Sequence, residues 1–298
     1  MVAGGLWENG EMATGDEFDA LLVEAGRTPM RGWEYDYGGR IRLEPPPWDF
    51  PGRMLERCRA AASLLDMGTG GGEWLSRLPY RPPLTVATEG WAPNLEIARG
   101  RLESLGIRVV EVEGAPDNHR QGREGDGGGA LPFADGTFDL VGNRHESYLP
   151  SEVRRVLAPG GCFLTQQVAG DFNREFYVLL GEPAPTPEAP HWNLGFARAQ
   201  LEAAELPPVA GGEGWEVLHF ADVGALAWYL LNLPWVFPGF SFRRHRERLR
   251  GLHESGKPLA VRQFLFWLEA RSPRPRAARG RVASPARCGC ARRSCGTG

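Results

Sequence analysis

LLDMGTGGGEWL, residues 64–75, joins a short apolar run to the start of a helical pattern through a string of glycines. Asp66, Gly68, Gly70 and Gly72 fall in the spacing D-x-G-x-G-x-G. Glycines at a strand-to-helix junction let the backbone turn tightly and approach a ligand closely. A plain βα turn would also tolerate them, and a dinucleotide-binding turn of type G-x-G-x-x-G is the main rival. That rival needs a third glycine where Glu73 stands. It also needs a pyrophosphate near Asp66, whereas a carboxylate there suits a cation.

Outward from this turn the chain alternates. RMLERCRAAA, 53–62, reads as a helix, and LEPPPWDFPG before it reads as non-helical. LTVATEG is a second strand and PNLEIARGRLESLG a helix with Pro93 in the first position, where a missing N–H is harmless. IRVVEVEG and TFDLVGN follow as strands, and SEVRRVLAPGG as a helix stopped by glycine. CFLTQQV is a fifth strand, and EPAPTPEAP, 182–190, a loop. FARAQLEAAEL is a helix, WEVLHFAD a strand, VGALAWYLLNL and FRRHRERLRGLHESG helices, and AVRQFLFWLEA the last strand. Alternation of this kind predicts a parallel sheet covered on both faces.

Glu89 ends the second strand, in TEGW, where an acid can accept two hydrogen bonds from a ribose. Trp91 just beyond could lie on a purine. LLDMGTGGGEWL, TEGW, LPFADGTFDLV and EVRRVLAPGG, in this order, resemble the class I S-adenosylmethionine-dependent methyltransferases, type 11-like, in a bacterial branch of unknown substrate. The resemblance covers residues 53–168 best. It implies a Rossmann-like, doubly wound, mostly parallel seven-stranded sheet, with a helical and aromatic insertion between the last two strands. It also implies S-adenosyl-L-methionine as cofactor. Asp66, Gly68, Thr69, Gly70 and Gly72 would surround its methionine part, Glu89 and Gly90 its ribose, and Trp91 its adenine. Asn143 would close the cofactor site. The acid for the adenine amine falls on Asp117 or Asp126, with Asp117 nearer the strand end.

GNRHESY, 142–148, follows the fourth strand and gathers Asn143, Arg144, His145 and Glu146. Ligands of an open parallel sheet lie outside its strands' carboxyl ends, so this run is expected beside the methyl donor. His145 is the candidate base, with an ordinary pKa of about 6.5. Glu146 would orient it or take the proton, and Arg144 would clamp an anionic group. An internal ion pair and a rigid turn explain the same residues. Gln166 and Gln167 end the next strand pointing to opposite sides. Trp228, Tyr229, Trp235, Phe237, Phe240 and Phe242, with Trp33, Tyr35 and Tyr37, would form either core or a lid over an apolar pocket.

The chain holds 298 residues with a net charge of −3. Lys257 is its only lysine. Residues 271–298 carry eight arginines and no acid, leaving 26 basic against 37 acidic side chains in the body. An acidic body argues against wrapping a polyanion, so a small-molecule acceptor is expected over nucleic acid. The alternatives are an rRNA or tRNA base methyltransferase and a noncatalytic cofactor- or nucleotide-binding protein. An NAD-dependent oxidoreductase is disfavoured by Glu73 and Asp66. Cys58 and Cys162 read as buried thiols, and Cys288, Cys290 and Cys295 are one ligand short of a closed zinc site. No metal and no membrane span are expected, and the acidic N-terminus is unlike a secretory signal, which predicts a cytoplasmic protein. The expected division is a disordered 1–15, one domain over 16–271 (53–168 cofactor core, 190–271 closing strands and cover), and a disordered basic tail, 272–298. The oligomeric state has no signal in the sequence.

Overall fold

A computed structural model describes residues 16–118, 128–171 and 173–274. The expected start of the domain at 16 and most of the tail border on or fall outside these residues, as do His119, Asp126 and the three tail cysteines. In chain order the strands are β1 (Ile41–Glu44), β2 (Ser63–Met67), β3 (Leu84–Glu89), β4 (Arg108–Glu111), β5 (Phe138–Arg144), β6 (Leu157–Val168), β7 (Pro208–Phe220) and β8 (Leu259–Arg271). The helices are α1 (Glu17–Arg27), α2 (Phe50–Arg59), α3 (Glu73–Arg77), α4 (Ala92–Leu102), α5 (Pro150–Val156), α6 (Arg174–Leu180), α7 (Leu194–Ala203), α8 (Val223–Asn232) and α9 (Phe242–Ser255).

One sheet runs β1-β7-β8-β6-β5-β2-β3-β4. β4, β3, β2, β5 and β6 are mutually parallel, while β8 is antiparallel to both β6 and β7. The order reverses between β2 and β5, and their carboxyl ends leave a crevice there. The seven expected strands are all present, and α8 and α9 form the insertion between the last two. An eighth strand, β1, pairs antiparallel with β7, Ile41 opposite Phe220 and Glu44 opposite Val217.

Each face has its own apolar filling. On one, Phe50, Met54 and Cys58 of α2 pack with Leu75, Leu95 and Leu102 on Leu64, Leu140 and Leu164. On the other, Val153, Val156, Ala197 and Leu201 cover Leu65, Val141, Phe163 and Phe266. A third cluster, of α1, α6, α8 and α9, covers the far ends of β7 and β8 through Leu218, Phe220 and Val261. α8 is apolar all round because it is buried all round, eight of its residues being inaccessible.

Several boundaries differ from the sequence expectation. α2 begins at Phe50, so Pro51 and Gly52 are helical. Proline in a first turn loses no hydrogen bond, and Asp49 caps the helix by accepting from Gly52 N–H at 2.8 Å. Pro93 is the second rather than the first residue of α4. α5 stops at Val156 without help from the glycines, because Leu157 already pairs with Phe138. α6 occupies a stretch with no expected element.

Candidate functional site

β2 ends at Met67 and the chain turns through Gly68 and Gly70, both at φ +63. Two reasons require glycine there. The left-handed backbone disfavours any side chain, and the space is taken. A Cβ on Gly68 would stand 2.6 Å from Cβ and Cγ of Glu146, and one on Gly70 would stand 2.1 Å from Cδ1 of Trp33. Gly72 faces Leu102 of α4, so its role is packing.

Glu89, at the end of β3, spans this turn. One carboxylate oxygen accepts from Gly70 N–H at 2.7 Å, the other from Trp91 N–H at 2.8 Å. Burial raises its pKa, and these donors oppose the rise. Each oxygen keeps a further lone pair for a ligand. Gly90 sits tight against the carbonyl of Val112. The Trp91 side chain is 56% exposed. Asp66 is buried at the end of β2, where desolvation pushes its pKa up to about 6. The Thr69 hydroxyl and Arg144 oppose this. That hydroxyl is buried and completes no hydrogen bond of good geometry.

The Asn143–Glu146 turn is held from β6. Asn143 Oδ1 accepts from Thr165 Oγ1 at 2.9 Å and Gln167 Nε2 at 2.7 Å, and Gln167 Nε2 also donates to the Glu146 carbonyl at 3.1 Å. The Asn143 Nδ2 donor is buried and unpartnered. His145 takes φ +62 and donates its backbone N–H to the Gln166 carbonyl at 2.8 Å. Gln167 therefore builds the turn's underside, while Gln166 faces the opposite side.

Gln166 fixes the state of His145. Trp48 Nε1–H can only donate, and Gln166 Oε1 accepts it at 2.9 Å. Gln166 thus turns its NH₂ to His145 Nε2, 3.4 Å away. A nitrogen facing that donor is the unprotonated one, so His145 is neutral with its proton on Nδ1. Desolvation by the crowding protein, then the neighbouring Arg144 guanidinium, also hold its pKa below the ordinary value.

Glu146 turns the other way, into the crevice. It lines a cavity of ≈ 20 Å³ together with Gly68, Glu89, Gly90, Glu113 and Gly114. Burial, then the charges of Glu89 and Asp117, push its pKa up to about 7. Asp117 is itself exposed and acts on Glu146 through space, while Glu113 is the acid that lines the cavity. The next residue, Asn118, is buried and pairs reciprocally with the backbone of Tyr148, donating at 2.8 Å and accepting at 3.2 Å. This ties the loop after β4 to the loop after β5.

Arg144 lies over Trp74, its guanidinium carbon 5.4 Å from the ring centroid. Its Nε is buried without a partner, and no ion pair joins it to Glu146. The aromatic set divides. Trp228, Tyr229 and Phe237 are buried core, Trp228 stacking on Tyr37 at 4.5 Å. Trp33 and Trp235 stay at the surface, edge to face at 5.8 Å above Gly70. Trp33 is held there through Glu73, which accepts its backbone N–H at 3.3 Å and pairs with Arg101 at 2.7 Å. Trp192 packs on Phe266, away from the crevice. Among the described residues no group is arranged to hold a metal ion, and no helix is long and apolar enough to cross a membrane.

The fold has counterparts in solved structures. One from Bacillus halodurans C-125, described as a candidate methyltransferase, superposes with TM-score 0.50 at 17% identity over 75% of this chain and 98% of that one. The YcgJ protein of Bacillus subtilis gives 0.50 and 17% over 76% and 99%. The chain has the class I methyltransferase fold.

In sequence, the methyltransferase-fold chain is 25% identical over 164 residues to a protein-L-isoaspartate O-methyltransferase of Cellvibrio japonicus. The match spans 54% of this chain and 65% of that protein's length. No family model matches the chain. Of the expected site residues of this methyltransferase fold, Gly68, Glu89, Gly90 and Glu146 line one cavity, Gly70 is tied to it through Glu89, and Asp66 is buried at the end of β2. Asn143 and Thr69 add buried, unpartnered polar atoms beside it. Gly72 packs on Leu102 instead, and the Trp91 ring is exposed. Glu113, Trp48 and Asn118 escaped the sequence reading. Glu113 carried a signal, being two residues beyond the end of β4.

Proposed function

We propose that the chain is an S-adenosylmethionine-dependent methyltransferase acting on a small molecule. The observation that carries this is the Glu89 carboxylate bridging the N–H groups of Gly70 and Trp91 on a methyltransferase fold. The donor set fits a ligand with a sulfonium, an ammonium and a ribose. Asp66 would hold the ammonium, and Glu89 would accept from the ribose hydroxyls with its free lone pairs. Trp91 and Gly90 would flank the adenine, with Glu113 or Asp117 near its amine. Thr69 and Asn143 would find partners for their unused polar atoms. When bound, the cofactor supplies a methyl group activated for in-line displacement, so the protein's task is alignment and exclusion of water. Glu146 would turn aside from Gly68. Trp33 and Trp235 would cover the glycine turn. His145, neutral and fixed by Gln166, could accept a proton only after breaking that contact.

The basic helix α9 supports a small acceptor over RNA. Four of its arginines are engaged within the protein: Arg244 with Glu182 at 2.7 Å, Arg246 with Asp19, Arg250 with Asp16 at 2.7 Å, and Arg248 with the Leu179 carbonyl at 2.9 Å. A helix whose charges are spent internally offers little to phosphates.

Calorimetry with S-adenosylmethionine and S-adenosylhomocysteine tests the proposal. Wild type should bind both, Asp66→Ala neither at comparable strength, and a labelled-methyl screen of cell extract should show transfer. Absence of binding to wild type overturns it.

A further inference from the structure

One buried carboxylate belongs to no part of the site described above. Glu216 is 8% exposed and, among the described residues, makes no hydrogen bond or ion pair. Strand alternation puts it on the face of β7 that carries Leu218 and Phe220, both buried in the third apolar cluster. It stands directly opposite Gln263 of β8, in the register between Trp215–Phe264 and Val217–Arg262. That register lies just past the end of β6, where Val168 pairs with Leu265. β7 runs parallel to β6, so Glu216 is on the same ligand edge as His145.

Its surroundings connect to the crevice. Two residues earlier on the same face, Gly214 has Trp48 against it, a Cβ there lying 3.3 Å from the Trp48 ring. Trp48 reaches Gln166, and Gln166 reaches His145. On its other side the Tyr229 ring lies 5.6 Å from Phe220 and 6.2 Å from Tyr35, and the Tyr229 hydroxyl faces the Gln263 amide. Arg144 is within electrostatic reach but forms no ion pair with Glu216.

A buried, unpaired carboxylate is unfavourable unless something partners it. Asp66, Glu89, Glu146 and Glu216 all lack ion pairs among the described residues, against the single guanidinium of Arg144. This edge of the sheet is thus rich in carboxylates, which disfavours an anionic acceptor. Asp66 and Glu89 are absorbed by the cofactor, and Glu146 faces the cofactor's cavity beside Gly68 and Glu89, which leaves Glu216 for the acceptor. Resting on the methyltransferase reading above, we infer that the acceptor is a small molecule with a basic nitrogen, which Glu216 binds as an ammonium.

The test uses phenethylamine, phenethyl alcohol and 3-phenylpropionate as probes, on wild type and Glu216→Gln, by calorimetry without cofactor. Phenethylamine should bind wild type best and lose about tenfold or more on Glu216→Gln, as expected when one partner of a buried charge pair is neutralised. The alcohol should bind both proteins alike. Glu216→Asp, which keeps the charge on a shorter stem, should retain part of the amine preference. No binding of phenethylamine to wild type, equal binding to both proteins, or preference for 3-phenylpropionate would each overturn the inference. S-adenosylhomocysteine affinity, measured in parallel, should be the same in wild type and Glu216→Gln. Its absence in wild type would sink the methyltransferase reading separately.

Discussion

Glu146 lies across Gly68: the two residues are so close that a single methyl group on Gly68 would stand 2.6 Å from the Glu146 side chain. They come from different strands, Gly68 following β2 and Glu146 following β5, and they meet because those strands are neighbours in the sheet. The carboxylate so placed is crowded by Glu89 and Asp117 and lies over the turn proposed for the cofactor.

Stability should therefore fall as pH rises. Asp66, Glu146 and Glu216 have pKa values pushed up to about 6, 7 and 7, above the 3.8 and 4.5 of the unfolded chain. The folded state holds these protons longer, so their ionisation opposes folding between those limits. Each full shift corresponds to at most about 3 kcal/mol. His145, with a lowered pKa, acts in the opposite sense, but only below about pH 6.5. Thermal unfolding without ligand should show Tm dropping from pH 6.5 to 8. Glu146→Gln and Glu216→Gln should each flatten that slope, and a slope unchanged in both variants would contradict the assignment.

Gly70→Ala should displace Trp33. The substitution adds a Cβ 2.1 Å from the indole at a backbone angle of φ +63. The strain alone is of order 1–2 kcal/mol. Intrinsic fluorescence should shift to the red as the indole becomes more exposed, and cofactor affinity should fall. Gly100→Ala, in open space on α4, is the control and should change neither.

Glu89→Gln should damage the turn as well as any ligand contact. An amide can accept from only one of the Gly70 and Trp91 N–H groups and presents a donor to the other. Leaving a buried donor unsatisfied costs about 1–3 kcal/mol. Both denaturant midpoint and S-adenosylhomocysteine affinity should drop. Glu89→Asp should recover less than half of the affinity, because the shorter side chain cannot span both groups.

The aromatic residues should separate into two classes. Trp228→Ala opens the core and should cost about 3–5 kcal/mol. Trp235→Ala removes a ring that is 53% exposed and should change stability by less than about 0.5 kcal/mol. If Trp33 and Trp235 cover the glycine turn, Trp235→Ala should instead weaken turnover. An unfolding midpoint shift in Trp235→Ala as large as in Trp228→Ala would assign both to the core.

The alternation of strands and helices was legible because buried parallel strands are continuous apolar runs bounded by glycine and proline. Asp66 and Glu89 stood out as charges at the ends of such runs. β1 was illegible for a physical reason: only Ile41 of its four residues is buried, so it has no pattern of its own. It exists by pairing with residues about 180 positions away. α6 was hidden because it is a single seven-residue segment whose N-cap, Asn173, turns its side chain to the Val236 carbonyl rather than to the helix. The closeness of Glu146 to Gly68 depends on a left-handed His145, and a local sequence does not announce that conformation in a residue other than glycine. Glu216 did leave a trace. In WEVLHF it takes the inward phase with Leu218 and Phe220.

The N-terminal segment has a consequence for synthesis. α1 packs on α8, and β1 pairs with β7. Between them, Trp33 and Tyr35 reach the glycine turn and Tyr229. Residues 17–27 and 41–44 thus dock chiefly on parts made some 180–200 positions later. Domains otherwise tend to fold from the N-terminus as they emerge. Pairings of such long sequence separation close a large loop, so α1 and β1 are expected to complete their docking after the central strands.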